Sequence, residues 1–436
     1  MRSTDRQILS LAIPSIVQNI TVPLLGLVDL TIVGHFGSAS AIGAIAVGSM
    51  IFNVIYWLLG FLRMGTSGLT SQAYGRGDII DARRLLKRAL TLALLLGLTF
   101  LLLQQPLGWA ALRIIHPSSE VLPLANIYFD VCIWGAPAVL GLYSLNGWFI
   151  GLQDTRTPLF VAIFQNLLNI LASLIFVYLL NLDITGVALG TLTAQWAGFL
   201  LSVSLALKRS KSLETKITPT QATKTKITGW GEFFSVNRDI FFRTVFLVGV
   251  NLFFTSAGAR QGDVILSVNT LLLTFYTLFS YVMDGFAFAG EALCGSAYGS
   301  EDDKRFRQIV NRLFHWGEIM TASFTLLYLI GGQPLMHLIT SEPHVLNVAR
   351  TYFPWALLIP ITGMAAFVYD GIFIGITQTR GMLISSCSAA IVFLLIFISG
   401  KSLGFSTNHL LWFSFIAFLS TRGIVQYIIM RRIGQH

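Results

Sequence analysis

The stretch ILSLAIPSIVQNITVPLLGLVDLTIV, residues 8–33, sets the class of this protein. It is apolar and long enough to cross a bilayer as an α-helix, which takes about 20 residues. It contains one acidic residue, Asp29, and two prolines, Pro14 and Pro23. A carboxylate inside such a helix is costly and usually marks an ion or substrate pathway, whereas a proline weakens and bends the helix. We therefore predict a bendable helix that carries one protonatable group.

The composition of the whole chain also indicates a membrane protein. Of its 436 residues, 54% are hydrophobic and 11% are charged, whereas soluble domains carry about 25% charged residues. The first apolar run is too long for the core of a cleavable signal peptide, so we expect it to remain in the protein. The net charge of +9 comes from basic residues in short loops. Membrane topology explains that pattern better than nucleic-acid binding does.

Twelve apolar segments predict an all-α integral membrane protein with twelve transmembrane helices. They cover residues 7–33, 41–70, 86–105, 122–151, 158–180, 184–207, 237–257, 264–296, 309–331, 346–375, 381–399 and 408–430. Alternate loops are rich in Lys and Arg, while the other loops hold only Arg113, Arg260, Arg350 and Lys401. This asymmetry predicts that both termini, and a polar linker at 208–236, are cytoplasmic.

The two halves of the sequence are repeats. Residues 146–156, NGWFIGLQDTR, align with residues 370–380, DGIFIGITQTR, at an offset of 224 that also pairs 73–75 with 297–299. We therefore predict an N-lobe at 1–207 and a C-lobe at 237–436, each a six-helix bundle. An even number of helices gives both lobes the same orientation, so a pseudo-two-fold axis along the membrane normal should relate them. Asp29 has no acidic counterpart, because the same offset leads to Phe253.

Five stretches carry a resemblance to a known family. They are PLLGLVDLTIVGHFGSASAIGAIAVG, FLRMGTSGLTSQAYG, QNLLNIL, NRDIFFRT and DGFAFAGEALCGSAYG. In this order, and over essentially the whole chain, the sequence resembles the multidrug and toxic compound extrusion (MATE) transporters, in particular their DinF-like branch. Twelve helices in two related bundles are also what that family shows.

The resemblance implies cation-driven efflux by alternating access. In the family's branch the acid of the first helix takes up a proton, or in some members sodium, and the helix bends at a proline. These roles fall here on Asp29 and Pro14, and the family's fifth-helix asparagines on Asn166 and Asn169. A second acid often follows four residues after the latter, but this chain has Ser173 there. That departure favours a proton, since sodium prefers several oxygen ligands and a lone carboxyl in a poorly solvated site favours its protonated form.

Polar residues within the apolar runs are the other candidate site residues. We assign Asn166, Asn169 and Thr193 to proton or cation coupling with Asp29, and Pro14 and Pro23 to the hinge; the substrate cavity or second ion site is assigned to Gln18, Asn19, Asp284, Phe286 and Asp370. Ordinary hydrogen bonding between helices is the alternative for each amide and hydroxyl. Arg243 is a possible partner for Asp284 or Asp370, and a structural salt bridge is the alternative for Glu291.

Together these features predict a proton-coupled antiporter that exports amphipathic and cationic compounds. We expect a monomer in the bacterial inner membrane, with no cofactor besides H⁺ (or Na⁺), no metal site and no nucleic-acid partner. The alternatives are a sodium-coupled exporter of the same family and a flippase for lipid-linked precursors, which would need a cationic cavity for phosphates. An enzyme is disfavoured, because neither catalytic His spacing nor a nucleotide-binding loop occurs in the sequence.

Overall fold

The computed structural model describes residues 3–36, 38–214, 228–405 and 407–433, and their side chains except those of 22–30, 35–36, 214 and 433. Fifteen α-helices, and no strand, lie in these ranges. They are α1 (Ser3–Phe36), α2 (Ala39–Leu58), α3 (Phe61–Gly75), α4 (Ile79–Leu102), α5 (Gln104–Ile115), α6 (Val121–Cys132), α7 (Ala136–Gly151), α8 (Arg156–Leu174), α9 (Asp183–Glu214), α10 (Trp230–Ala259), α11 (Asp263–Gly299), α12 (Asp303–Ile339), α13 (Pro343–Gly375), α14 (Thr379–Ser402) and α15 (Thr407–Ile433).

Eleven helical stretches among the described residues are long and apolar enough to cross a membrane. Three of them combine shorter elements: α2 with α3, α6 with α7, and α8 with the π-helical turn Ile175–Leu179 that follows it. Helix α1, with 34 residues, completes a set of twelve. The predicted all-α membrane architecture is therefore confirmed.

Two predicted segments are divided. The second breaks at Gly60, between α2 and α3, where glycine weakens a continuing helix. The fourth passes through a 3₁₀ turn, Ile133–Gly135, before α7 begins. Pro137 lies in the first turn of α7, where its missing N–H is tolerated although it would interrupt a helix arriving from α6.

Helix α5 was not predicted from the sequence. Pro106 and Arg113 give this stretch the composition of a loop, but a proline is compatible with the first turn of a helix. The helix has 12 residues, and the residue that follows it, His116, has a left-handed φ of 51°. It is too short to cross a bilayer.

Contacts divide the chain into two compact units. One contains Met1–Ala12 and Phe234–His436, and the other contains Ile13–Phe233. We call them the C-unit and the N-unit. Helices α1 and α10 each begin in one unit and continue in the other. The predicted linker, 208–236, is shorter than expected at both ends, because α9 continues to Glu214 and α10 begins at Trp230.

The internal repeat is visible in how each unit packs. In the N-unit, a methyl group added to Gly147 of α7 would lie 2.2 Å from the carbonyl oxygen of Arg63 on α3. In the C-unit, one added to Gly371 of α13 would lie 2.3 Å from the carbonyl oxygen of Ala287 on α11. Both members of the second pair follow the first by 224 residues (371 − 147 and 287 − 63). Glycine thus permits the same close helix contact in each repeat, as small residues do in membrane helix packing.

Candidate functional site: an amide cluster and an ionic cluster

The first candidate site lies in the N-unit, where α8 meets α1. Asn166 donates a hydrogen bond from Nδ2 to the carbonyl oxygen of Thr21, at 3.2 Å. Thr21 lies two residues before Pro23 and seven after Pro14. Asn166 therefore ties α8 to the proline-containing part of the helix that carries Asp29.

A second amide contact joins α8 to α9. Asn169 donates from Nδ2 to the hydroxyl of Thr191 at 3.0 Å, and Ser173 donates to Asn169 Oδ1 at 3.5 Å. The π-helical turn Ile175–Leu179 begins two residues later. Such turns are rare and frequently lie at functional sites. We call Asn166, Asn169, Ser173, Thr21 and Thr191 the amide cluster.

The position of the absent second acid is tightly enclosed. Ser173 has no exposed surface. A methyl group added to Gly190 of α9 would lie 2.2 Å from Ser173 Oγ. The two helices therefore contact each other directly at this serine, and a larger side chain would force them apart.

The structure brings only part of the predicted coupling group together. Thr193 is exposed, and the hydroxyl that binds Asn169 belongs to Thr191. Gln18 and Asn19 are half-buried on α1, as is Pro14, and the backbone of α1 remains helical through both prolines. The side chains of Asp29 and Pro23 lie outside the described residues, so their predicted roles stay predictions.

The second candidate site is an ionic cluster in the C-unit, formed by α10, α13 and α15. Asp370 accepts hydrogen bonds from three buried side chains: Arg243, Arg422 at 2.6 Å and Gln426 at 2.6 Å. Arg422 is 2% exposed and Gln426 is fully buried. Asp284 on α11 is half-buried and close enough to interact electrostatically with Arg243. The cluster thus combines two guanidinium groups with two carboxylates.

This arrangement is suited to holding helices together. Both oxygens of Asp370 are engaged, Oδ2 by the two arginines and Oδ1 by Gln426. A buried carboxylate in such an ion pair has its charge compensated, and removing one partner leaves an unpaired buried charge. A cation entering here would have to displace a guanidinium group. The geometry therefore favours a structural role for Asp370 over the predicted second ion site, which stays untested.

Phe286, predicted to line a cavity, is 2% exposed and stacks on Trp316, with ring centroids 6.2 Å apart. Glu291 is buried as well. No group of three His, Cys, Asp or Glu residues that would hold a metal ion occurs among the described residues.

Sequence reasoning missed Arg422, Gln426 and Thr191. Arg422 and Gln426 lie within the predicted apolar segment 408–430 and were not singled out there. Four-residue spacing places Arg422 and Gln426 on one face of α15, which is the signal that would have identified them.

Comparisons with known proteins agree on the type of protein. The family model MatE matches residues 14–175 and 240–398. DNA damage-inducible protein F of Escherichia coli K12 is 35% identical over 433 residues, which cover 99% of this chain and 93% of that protein. A probable multidrug resistance protein NorM of Thermotoga maritima is 22% identical over 79% of this chain and 74% of that protein.

Solved structures share the fold. A MATE crystal structure in the bent conformation matches with a TM-score of 0.86 at 18% identity, over 98% of this chain and 95% of that one. A MATE structure in the straight conformation matches with a TM-score of 0.81 at 20% identity, over 98% and 96% of the two chains. These matches confirm the predicted class of twelve helices in two bundles.

Proposed function

Because the chain belongs to the MATE family of membrane transporters, in its DinF-like branch, we propose that it is a proton-coupled multidrug efflux antiporter. The observation that carries this proposal is the hydrogen bond from Asn166 to the Thr21 carbonyl oxygen. It connects α8 to α1 between Pro14 and Pro23, in the helix that carries Asp29, an acid without an acidic counterpart in the second repeat.

The proposed cycle begins with proton uptake by Asp29. A carboxyl group in a poorly solvated site favours its neutral form, and a carboxylate needs hydrogen-bond donors. The amides of Asn166 and Asn169 are donors on the neighbouring helix. When Asp29 is protonated it no longer needs them, so the loaded and unloaded forms favour different positions of α1 relative to α8. Bending at Pro14, with Pro23 as a second weak point, would convert this preference into a change of access.

The amide cluster also supports protons over sodium as the coupling ion. Its described members are neutral amides and hydroxyls, and Ser173 occupies the place where a second acid would lie. Sodium coupling through Asp29 would require further oxygen ligands from the same neutral groups. A proton requires only the carboxyl group.

Substrate and location follow from the same family membership. We propose that the exported compounds are amphipathic and cationic, in keeping with the NorM relative's description as a multidrug resistance protein. The excess of Lys and Arg in alternate loops supports both termini in the cytoplasm of a bacterial inner membrane. We propose a monomer without a cofactor. We also propose that it has no enzymatic activity, since a transporter releases its substrate unchanged.

A flippase for lipid-linked precursors is less well supported. Such a protein needs uncompensated cationic groups for phosphates. The two buried arginines of the ionic cluster, Arg243 and Arg422, are instead bound to Asp370. Their positive charge is thereby shared with a carboxylate, whereas a phosphate site needs uncompensated cations.

Transport in proteoliposomes tests the proposal. Efflux of an ethidium-type dye is followed after a pH step in sodium-free vesicles, and after a sodium step at constant pH. We expect efflux with the pH step alone, and its loss in Asp29→Asn. The matched control is Asp263→Asn, which removes an exposed acid at the start of α11. Efflux that appears only with sodium, or that persists in Asp29→Asn, would contradict the proposal.

A further inference from the structure

We propose that two latches, one in each unit, hold the beginnings of α1 and α10 and must open during each transport cycle. Their residues, Asp5 with Arg312 and Trp316, and Thr228 with Asp81 and Arg88, thereby act as positioning residues for transport. This inference rests on the proposed function.

The first latch holds the beginning of α1 in the C-unit. Asp5 forms an ion pair with Arg312 of α12, with 3.4 Å between Oδ2 and Nη2. It also accepts a hydrogen bond from Trp316 Nε1 at 3.3 Å. The side chains of Asp5 and Arg312 are 11% and 20% exposed. Thr4, beside them, is buried. The first turn of α1 is therefore seated on α12 by a few long polar contacts at a partly exposed edge.

The second latch holds the beginning of α10 in the N-unit. Asp81 of α4 accepts hydrogen bonds from Thr228, at 2.8 Å from its hydroxyl and 3.3 Å from its backbone N–H. Arg88 donates to the Thr228 carbonyl oxygen, and its guanidinium lies 5.2 Å from the ring centre of Trp230. Thr228 is 3% exposed. The residues just before and at the start of α10 are thus seated on α4.

The two latches are related by the internal repeat. Thr228 stands 224 residues after Thr4, and Arg312 stands 224 residues after Arg88 (228 − 4 and 312 − 88). Each latch pairs the beginning of one repeat's first helix with the arginine of the other repeat's α4 or α12. The acid differs: Asp5 lies on the incoming helix, and Asp81 lies on the receiving one. The first helix of each repeat is therefore held by an equivalent contact, in which the acid lies on a different helix in each case.

The helices that the latches hold are the ones that pass between units. Helix α1 leaves the C-unit between Ala12 and Ile13, just before Pro14, and α10 leaves the N-unit after Phe233. A change in the arrangement of the units must therefore bend these helices or release their beginnings. Helix α1 has a proline at the crossing and α10 has none, so α10 in particular requires release. Each latch consists of a few hydrogen bonds and ion pairs around one carboxylate, Asp5 or Asp81, so little has to break for it to open.

Cross-linking tests whether the latches open. Two cysteine pairs, Asp5→Cys with Arg312→Cys and Asp81→Cys with Thr228→Cys, are made in a chain whose Cys132, Cys294 and Cys387 are replaced by alanine. A short bis-methanethiosulfonate reagent closes each pair, and dithiothreitol reopens it. We expect closure of either pair to stop dye efflux, and reduction to restore it. Efflux at an unchanged rate after closure would overturn the proposal.

Controls separate the latches from the proposed function. Asp302→Cys with Arg305→Cys, a pair within one end of α12, should cross-link without loss of efflux. The cross-linking yield needs no transport, so it is also measured with and without dye at two pH values. If the chain with the three alanine replacements and unaltered latch residues does not transport, the proposed function fails. A cross-linking yield of the latch pairs that changes with dye or pH would still show that the latches open. A constant yield would overturn the proposal.

Discussion

The amide cluster of the N-unit and the ionic cluster of the C-unit differ in the charge of their side chains. Both place polar side chains inside apolar helices, but the described amide cluster is neutral, whereas the ionic cluster pairs Asp370 with two guanidinium groups. At the repeat offset, Asn146, Gly198 and Asn19 stand where the C-unit has Asp370, Arg422 and Arg243, so the positions equivalent to the ionic cluster are uncharged in the N-unit. A charge network that is already compensated resists a change of protonation. A neutral network can respond to the protonation of an acid, which is the role that we propose for the amide cluster and Asp29.

The difference assigns separate tasks to the two repeats. We propose that its ions hold the C-unit together and that the N-unit is free to take up and release a proton at Asp29. This division accounts for why an acid in the first helix has Phe253 as its counterpart.

Removing the charge of Asp370 should have the largest effect on stability. Asp370→Asn keeps the size of the side chain but leaves two buried guanidinium groups without their shared carboxylate. We expect a loss of about 3–5 kcal/mol of folding free energy, measured as a lower melting temperature in detergent. The matched control is Asn146→Ala at the equivalent place in the first repeat, with a much smaller effect.

A second substitution sharpens this prediction. Adding Arg243→Gln to Asp370→Asn removes one of the unpaired charges, so the double variant should melt at a higher temperature than Asp370→Asn alone. A double variant that is less stable than both single variants would show that the arginine is held by other contacts.

Inserting the absent acid at Ser173 should have an intermediate effect. Ser173 is fully buried against Gly190, so Ser173→Asp would overpack the contact of α8 with α9 at a cost of about 1–3 kcal/mol. We expect a less stable protein that gains no sodium dependence, whereas Ser173→Ala should fold normally. Sodium-dependent efflux in a stable Ser173→Asp protein would show that the helices can separate to form an ion site.

Removing the amide that binds α1 should have the smallest effect on stability. Asn166→Leu loses the hydrogen bond to Thr21, and such bonds contribute about 0.6 kcal/mol on average in membrane proteins. We expect a nearly unchanged melting temperature but a slower dye efflux, because α8 no longer follows α1. Asn126→Leu, which removes an exposed amide bonded within α6, should leave both quantities unchanged.

The sequence predicted the helices better than the site. Long apolar runs identify membrane helices because the bilayer requires them, but they give no information on how each helix is rotated. Thr191, which binds Asn169, was not singled out, and it lies two residues, or about 200° around the helix, from the predicted Thr193. The pairing of Arg243 with an acid was foreseen, since a buried charge needs a partner. Arg422 was missed, because its place inside α15 depends on the packing of three helices.

Proton exchange by the purified protein tests the central claim most directly. Dye is added to the detergent-solubilised protein in weakly buffered solution, and the protons released are measured with a pH indicator. If Asp29 exchanges its proton for substrate, the unaltered protein and Asp284→Asn should release protons on binding, and Asp29→Asn should bind dye without releasing any. Equal proton release from Asp29→Asn and the unaltered protein would contradict the account.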